Sequence, residues 1–234
     1  MRDALHNSIM LPPDIIPALM PESLSEFQRL ARVVGVFTHT AQLDVMDGKF
    51  VPSVSWPFHE DEMDELRAMS RLPESDLIAY EVHLMVENPE RIGMIFAEKG
   101  ARTLIGHVET MGHTNEVLAS IEAWKSGGVR VGISLLLDTP LSEVAPLVSH
   151  IDFIQVMSIG TIGYQGHVFD DRALDRIREI RAQYPHLRIS VDGGVSGANA
   201  SALAEVGANQ LCVGSGIVKA ADPGKAYRDI LAAL

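Results

Sequence analysis

Three polar side chains that interrupt separate apolar runs are the residues most able to do chemistry. Asp44 lies in TAQLDVMD, His83 in IAYEVHLMV and Asp192 in RISVDGGV. A buried carboxylate costs free energy unless a partner compensates it, and two carboxylates in one dry cavity repel each other unless a cation lies between them. Two Asp and one His form a suitable ligand set for Zn²⁺, Mn²⁺ or Fe²⁺. Taken singly, Asp44 could instead form a turn, and His83 could be a hydrogen-bonded core residue.

Glycine pairs end two later apolar runs, in VDGGV (191–195) and VGSG (213–216). Strand-to-helix turns use glycine in any case, so either pair alone is weak evidence. At the ends of two adjacent strands, however, such turns present backbone N–H groups to an anion. We therefore expect Gly193, Gly194, Gly214 and Ser215 to bind phosphate, with the following VKAADP segment starting a short helix.

The elements that must position these residues alternate along the whole chain. Eight apolar runs rich in Val and Ile predict buried parallel strands; they cover residues 15–20, 40–47, 78–86, 103–109, 130–137, 152–159, 188–195 and 210–216. Segments with helical periodicity lie between them and cover residues 23–33, 61–69, 89–99, 114–125, 141–148, 171–182, 198–206 and 225–234.

Eight such units without a long linker predict a single (β/α)8 TIM barrel over residues 1–234, with residues 1–14 as an N-terminal extension. A doubly wound open sheet is the main alternative. In a barrel the active site forms at the C-terminal ends of the strands, where Asp44, His83 and Asp192 all lie. Their side chains meet if the corresponding strand faces point inward.

Composition restricts the partners and the compartment. The formal net charge of −12 and a pI near 5.1, without a dense Lys/Arg cluster, argue against nucleic acid. The chain has a single cysteine, Cys212, so an intramolecular disulfide is excluded. Because Cys212 lies within an apolar run, we expect it to be a small buried hydrophobic residue. No apolar stretch reaches the roughly 20 residues of a membrane helix, so we expect a cytoplasmic protein without a membrane partner.

Six motifs, in order and at suitable spacing, resemble those of the ribulose-phosphate 3-epimerase family: LDVMDGKFVPSVSW, VHLMVENPE, GHVET, FIQVMSIG, ISVDGGV and CVGSGI. The resemblance implies a metal-dependent (β/α)8 barrel of the ribulose-phosphate-binding type. It also implies an isomerase of carbohydrate metabolism that inverts C3 of a ketose phosphate by two-base proton transfer through an enediolate.

The resemblance also implies residue roles. Asp44 and Asp192 would be the acid/base pair and, with His83, would bind the metal, while Met46, Met85 and Met157 would line the reacting carbon. For these methionines a role as adaptable core filler is about as favoured. Gly163 and Gly166 align with glycines of the loop that closes over the phosphate.

Several positions depart from the family pattern. Gln42 stands where the family has a fourth metal ligand, a histidine; its amide oxygen is a weaker ligand for Zn²⁺ but suits Mn²⁺ or Mg²⁺. Ala18 replaces a serine that would meet the substrate. The loops GTIGYQGHVF (160–169) and LLLDTP (135–140) also differ. The changes surround the substrate, which favours an altered substrate over a decayed enzyme.

Three functions remain open at this point. The first is an epimerase of a pentulose, hexulose or shorter ketose phosphate. The second is a related lyase or decarboxylase barrel, which would carry Asp-x-Lys-x-x-Asp on one strand, whereas Lys49 in LDVMDGK is out of position. The third is a non-catalytic or metal-free barrel that binds a sugar phosphate. In each case we expect a homo-oligomer.

Overall fold

The computed structural model describes residues 12–59 and 62–234. Eight parallel strands pair in chain order and close into a barrel, with β8 against β1. The strands are β1 (Asp14–Leu19), β2 (Thr40–Met46), β3 (Ala79–Met85), β4 (Thr103–His107), β5 (Arg130–Leu135), β6 (Phe153–Met157), β7 (Arg188–Asp192) and β8 (Gln210–Val213). The predicted (β/α)8 fold is confirmed.

Helices follow most of the strands and surround the barrel. They are α1 (Leu24–Val34), α2 (Glu62–Ala68), α3 (Pro89–Glu98), α4 (Thr114–Ser126), α5 (Arg172–Gln183), α6 (Ala200–Glu205), α7 (Ser215–Val218) and α8 (Pro223–Leu231). Ser23 caps α1 by accepting a hydrogen bond from the Glu26 N–H. No helix within the described ranges has the length and apolarity needed to cross a bilayer.

Strand alternation divides the barrel into an apolar outer face and a polar interior. Outward residues such as Val82, Leu84 and Leu104 pack with helix residues such as Phe96 and Trp124 in the main core. Hydrogen bonds between strands that are not neighbours, such as β2 with β7 and β8 with β3, cross the barrel interior. The inward face therefore carries the amides, carboxylates and imidazoles, while the outward face supplies most of the main hydrophobic core.

One predicted helix is wrong in type. Residues 141–148 form two 3-10 segments, Leu141–Glu143 and Ala145–His150, in place of an α-helix. Pro146 has no N–H and crowds the turn before it, so only short i→i+3 turns form after Pro140.

Several predicted strands were too long at their C-terminal ends. The apolar run of β4 continues into a 3-10 turn, Val108–Thr110, and β7 and β8 end before their glycines. The short helix after β8 begins at Ser215, inside VGSG, so it precedes most of the VKAADP segment. Residues 1–11 of the predicted extension lie outside the described residues, whereas Asp14 already belongs to β1. Asp61, the first residue of a predicted helix, also lies outside the described residues.

Candidate active site

Strand register places Asp44 beside His83. The two residues are direct partners in the β2–β3 ladder, and both residues are buried, with exposures of 5% and 0%. The Ser55 hydroxyl donates to the Asp44 carbonyl and accepts from the Met46 N–H, at 3.0 Å each. This bond pair fixes the end of β2, so the direction of the Asp44 side chain is set by backbone contacts.

Asp192 is the last residue of β7 and is 9% exposed. Its carbonyl accepts from the Ser158 N–H at 2.7 Å and from the Ser158 hydroxyl at 3.1 Å. The Gln155 amide nitrogen lies 3.4 Å from its Oδ2. These contacts from β6 and the loop after it hold the second carboxylate opposite the first.

The structure brings the three predicted residues into one cluster. His83 Nδ1 lies 3.2 Å from Asp44 Oδ1 and 3.3 Å from Asp192 Oδ2. The three potential ligand atoms lie within 4.8 Å of one another. Among the described residues, His83 is the ion-pair partner of both carboxylates. The donor set therefore fits a divalent cation, which would supply the positive charge that two buried carboxylates lack.

Gln42 lies between the two carboxylates. Its Nε2 donates to Asp44 Oδ1 and to Asp192 Oδ2, each at 2.7 Å, while its Oε1 accepts from the Cys212 thiol at 3.2 Å. In this orientation the amide nitrogen faces the cluster. The metal-ligand role predicted for Gln42 requires the amide to turn over, so that role stays a prediction.

Burial and mutual contacts shift the pKa values of the cluster. Burial, with repulsion from Asp192, raises the pKa of Asp44 against the opposing effect of its hydrogen bond with His83. Burial acts to lower the pKa of His83, but its hydrogen bonds with Asp192 and Asp44 outweigh that and raise it to about 9. Burial also raises the pKa of the Cys212 thiol, which therefore remains a hydrogen-bond donor. Both shifts on Asp44 and His83 favour added positive charge, as a proton or as a cation.

A cavity of about 240 Å³ opens directly above the cluster. Met85 and Met157 form part of its wall, while Met46 is fully buried and packs with them in a small apolar cluster that includes Val51 and Ile159. Of the predicted site residues, Gln42, His83 and Met46 lie beneath the cavity surface. The others line it: Ala18, Asp44, Met85, Met157, Gly163, Gly166, Asp192, Gly193, Gly194, Gly214 and Ser215.

The far side of the cavity is built from backbone. Gly193 and Gly194 follow β7 with φ values of +112° and +65°. A Cβ on Gly194 would lie 2.6 Å from the Phe169 nitrogen, so glycine is required where the loop after β6 crosses this turn. The lining of this cavity, as described, includes neither Lys nor Arg. An anion there would meet backbone N–H groups, Ser196, Ser215 and His167.

Gln165 is the variant position with the clearest structural consequence. Its Nε2 donates to the Ala18 carbonyl at 3.1 Å and lies 2.9 Å from where a Cβ on Gly214 would be. The Gln165 side chain thus links the loop after β6 to the end of β1 by a hydrogen bond and packs beside Gly214, which follows β8.

Sequence reasoning missed the residues behind His83. The Nε2 atoms of His83 and His107 lie 2.9 Å apart, and His107 Nδ1 lies 3.1 Å from Glu109 Oε2. Burial lowers the pKa of His107, which favours its neutral form. Alternation along β4 would have found His107, because it shares a strand face with Thr103, the partner of inward-facing Glu81.

Fold and site together define a TIM-barrel enzyme with a paired-carboxylate centre at the C-terminal end of the strands. Residues 13–218 match the ribulose-phosphate 3 epimerase family, and the chain belongs to that family. This confirms the predicted family and the predicted enzyme class, an isomerase acting on carbohydrate phosphates.

Two curated relatives illustrate the sequence similarity. The cytoplasmic isoform of ribulose-phosphate 3-epimerase from Oryza sativa subsp. japonica is 31% identical over 217 residues, covering 91% of this chain and 89% of the relative. Ribulose-phosphate 3-epimerase from Bacillus subtilis is 32% identical over 193 residues, covering 80% of this chain and 83% of the relative.

Two solved structures with similar folds are named for other enzymes. 3-Hexulose-6-phosphate synthase from Salmonella typhimurium superposes with a TM-score of 0.69 at 18% identity, covering 94% of this chain and 98% of that one. Orotidine 5'-phosphate decarboxylase from Pyrococcus horikoshii gives a TM-score of 0.64 at 17% identity, with 94% and 98% covered. At this identity they support the barrel fold alone.

Proposed function

We propose that this protein epimerises C3 of a phosphorylated ketose with Asp44 and Asp192 as the two proton-transfer groups. The observation that carries the proposal is their placement: they come from β2 and β7, which are separated by β1 and β8, and meet at one end of one cavity. A substrate carbon between them is open to one carboxyl group on each face.

The proton transfers need one deprotonated and one protonated aspartate at the start. One carboxylate removes the proton from C3, breaking the C–H bond and leaving an enediolate. The other carboxylic acid then donates its proton to C3 from the opposite face, which inverts the centre. The two residues exchange roles in the reverse direction, as two-base transfer requires.

Asp44, His83 and Asp192 are the residues that would hold the divalent cation, with the Gln42 carbonyl as a fourth ligand after its amide turns over. Such an ion would supply Lewis-acid stabilisation of the negative charge that develops on the enediolate. This stabilisation is needed because the C3 proton is too weakly acidic for a carboxylate base alone to remove near neutral pH. Zn²⁺, Mn²⁺ and Fe²⁺ suit the histidine and two aspartates, and Gln42 favours Mn²⁺ or Mg²⁺.

The cavity wall and the glycine loops would orient the rest of the substrate. Met85, Met157 and the buried Met46 keep the reacting end apolar, which limits access of water to the enediolate. We propose that Gly163, Gly166, Gly193, Gly194, Gly214 and Ser215 hold the phosphate through backbone N–H groups and the serine hydroxyl. Helix α7 begins at Ser215, so the backbone N–H groups of its first residues lie beside the proposed phosphate-binding glycines.

Lys49 separates this proposal from the lyase or decarboxylase alternative. Its ammonium pairs with Glu87 at 3.2 Å, and both side chains are more than half exposed, so it points away from the barrel interior. The lysine that the lyase pattern needs inside the barrel is therefore missing from this strand. The two retained aspartates argue against the non-catalytic alternative, because an unused pair of buried carboxylates only destabilises the fold.

We propose one domain, a homo-oligomer and a cytoplasmic location. The lone, buried Cys212 and the similarity to a relative named as a cytoplasmic isoform support the compartment. Light scattering of the purified chain would test the oligomer.

Deuterium exchange tests the activity directly. The metal-loaded protein is incubated in D₂O with ribulose 5-phosphate, other ketose phosphates and, as a control, unphosphorylated ribulose. We expect deuterium at C3 and formation of the C3 epimer for at least one phosphorylated ketose, with much slower exchange for the control. Loss of carbon from the product would favour the lyase alternative, and no C3 exchange with any ketose phosphate would contradict the proposal.

A further inference from the structure

A chain of hydrogen bonds leads from His83 away from the cavity to the loop after β5. His83 and His107 are both fully buried, with their imidazole rings edge to edge, the ring planes 25° apart, the centroids 5.0 Å apart and the two Nε2 atoms 2.9 Å apart. The Phe50 ring lies 4.9 Å from the His107 ring. Two facing ring nitrogens at this distance can share only one proton, so one of them donates and the other accepts.

Glu109 determines which nitrogen of His107 carries its proton. Its Oε1 accepts from the Leu136 N–H at 2.8 Å and from the Thr139 hydroxyl, and its Oε2 faces His107 Nδ1 at 3.1 Å. Burial opposes the charge on this carboxyl, but the hydrogen bonds with His107, Leu136 and Thr139 lower its pKa. A carboxylate can only accept, so the Nδ1 atom of His107 must be the one that donates.

The consequence passes through both rings to the candidate metal centre. A neutral His107 with its proton on Nδ1 has a lone pair on Nε2 and accepts the Nε2–H of His83. When His83 gives up its Nδ1 proton to become a metal ligand, the remaining proton stays on Nε2 and the lone pair lies on Nδ1, the atom that faces Asp44 and Asp192. Metal ligands require this deprotonated nitrogen, and outer hydrogen bonds of this kind fix the tautomer of ligating histidines.

We propose that Glu109 and His107 are positioning residues that hold His83 in the tautomer whose Nδ1 can bind a divalent cation between Asp44 and Asp192. The proposal rests on the metal-binding part of the proposed function and is independent of the sugar. Neither residue is among those that line the cavity, and His107 reaches the cluster through its hydrogen bond with His83.

Replacing one atom of Glu109 reverses the polarity of this chain. In Glu109→Gln the carbonyl oxygen can still accept from Leu136 and Thr139, while the new amide nitrogen directs an N–H donor at His107 Nδ1. His107 then favours a proton on Nε2, and His83 favours a proton on Nδ1, where the cation should bind. Glu122→Gln, on the exposed side of α4, is the matched control.

Zn²⁺ affinity is the first readout, measured on the full chain by competition with a chromogenic chelator. We expect Glu109→Gln to weaken Zn²⁺ binding about 10- to 100-fold. We expect wild type and Glu122→Gln to bind equally, and the three metal-free proteins to have similar melting temperatures. Equal affinity in wild type and Glu109→Gln would overturn the proposal, as would the absence of Zn²⁺ binding by the wild type.

Histidine ¹⁵N NMR is the second readout and reports the tautomers themselves. In the wild type we expect His107 with its proton on Nδ1 and, with Zn²⁺ bound, His83 with its proton on Nε2. His107 with its proton on Nε2 would overturn the proposal even if Glu109→Gln failed to fold. Weaker Zn²⁺ binding by Glu109→Gln together with no C3 exchange in the wild type would support this proposal and contradict the epimerase function.

Discussion

Glu81 and Asp44 lie inside the barrel on neighbouring strands, both nearly buried, yet the structure compensates their charges in different ways. Glu81, toward the N-terminal end, accepts from the Arg130 guanidinium at 3.2 Å and from the Gln210 amide. Asp44, one layer toward the C-terminal end, has His83 and the Gln42 amide, and a second carboxylate, Asp192, nearby. The arginine gives one end a permanent cation, while the other end retains a deficit of positive charge.

The difference indicates which buried carboxylate is structural and which is functional. A carboxylate with a permanent cation and satisfied oxygens contributes to the specific packing of the barrel. A pair of carboxylates held together without one costs stability, and such arrangements are typical of sites that bind a cation or transfer protons. One face of β3 contributes to both sites, because Glu81 and His83 are two residues apart: Glu81 belongs to the arginine-paired site and His83 to the site with two aspartates.

Neutralising Asp192 should reduce C3 exchange more than any other substitution in this comparison. A small reduction would contradict the distinction between the functional and the structural carboxylates. We expect Asp192→Asn to slow C3 exchange of the ketose phosphate by about 10²- to 10⁴-fold, because one of the two proton-transfer groups is lost. The melting temperature of the metal-free protein should stay equal or rise, since the repulsion from Asp44 is removed. NMR in D₂O and thermal denaturation measure both, and rapid exchange in the variant would contradict the two-base role.

Gln42→His would sharpen the comparison by strengthening the cation site. An imidazole is a better Zn²⁺ ligand than an amide oxygen, so we expect at least about tenfold tighter Zn²⁺ binding. Gln183→His, at the exposed end of α5, controls for adding an imidazole elsewhere. Unchanged or weaker Zn²⁺ binding by Gln42→His in chelator competition would argue against Gln42 lying at a ligand position.

Arg130→Met tests the opposite end, where the charge deficit would be created. Because the Arg130 side chain is 53% exposed, we expect a loss of only about 1–2 kcal/mol in the free energy of unfolding at pH 7. C3 exchange should change little. Urea denaturation measures the loss, and a comparable fall in C3 exchange would contradict the separation of the two ends.

The same variant has a pH dependence whose sign follows from Glu81. Burial already raises the pKa of Glu81 above 4.5, although Gln210 and Arg130 act to lower it. Without Arg130 the pKa of Glu81 in the folded protein rises further above its value in the unfolded chain. Folding is then coupled to proton uptake by Glu81 over a wider pH range. The destabilisation by Arg130→Met should therefore be largest above the folded-state pKa and should shrink as pH falls toward 4.5.

Glu81→Gln should have the smallest effect and is the matched counterpart of the Asp192 variant. The neutral amide keeps the shape of the carboxyl group and one of its two acceptors. Losing the hydrogen bond from the half-exposed Arg130 guanidinium should cost little, and removal of the buried charge offsets part of that cost. We expect the free energy of unfolding to change by less than about 1 kcal/mol and C3 exchange by less than about twofold. A loss of exchange as large as that of Asp192→Asn would erase the distinction between the two carboxylate sites.

Much of the fold followed from local sequence patterns. Eight apolar runs with helical segments between them predicted the closed barrel, because both-faces-buried strands and amphipathic helices have distinct periodicities. The errors lie at element ends, as in β7, and at residues 141–148, where Pro146 decides the geometry. Apolar content cannot show where a strand turns into a loop, since the loops over this site are themselves partly buried.

The sequence alone placed Asp44, His83 and Asp192 late on separate strands, and parallel strands in a closed barrel bring such positions to one end. It could not show that Glu109 acts on His83 through His107, that the Gln42 nitrogen faces both carboxylates, or that Arg130 compensates Glu81. Those contacts join residues 24 to 150 positions apart in the chain or depend on side-chain orientation. Strand periodicity is a local property, whereas hydrogen-bond direction is decided only when the barrel closes.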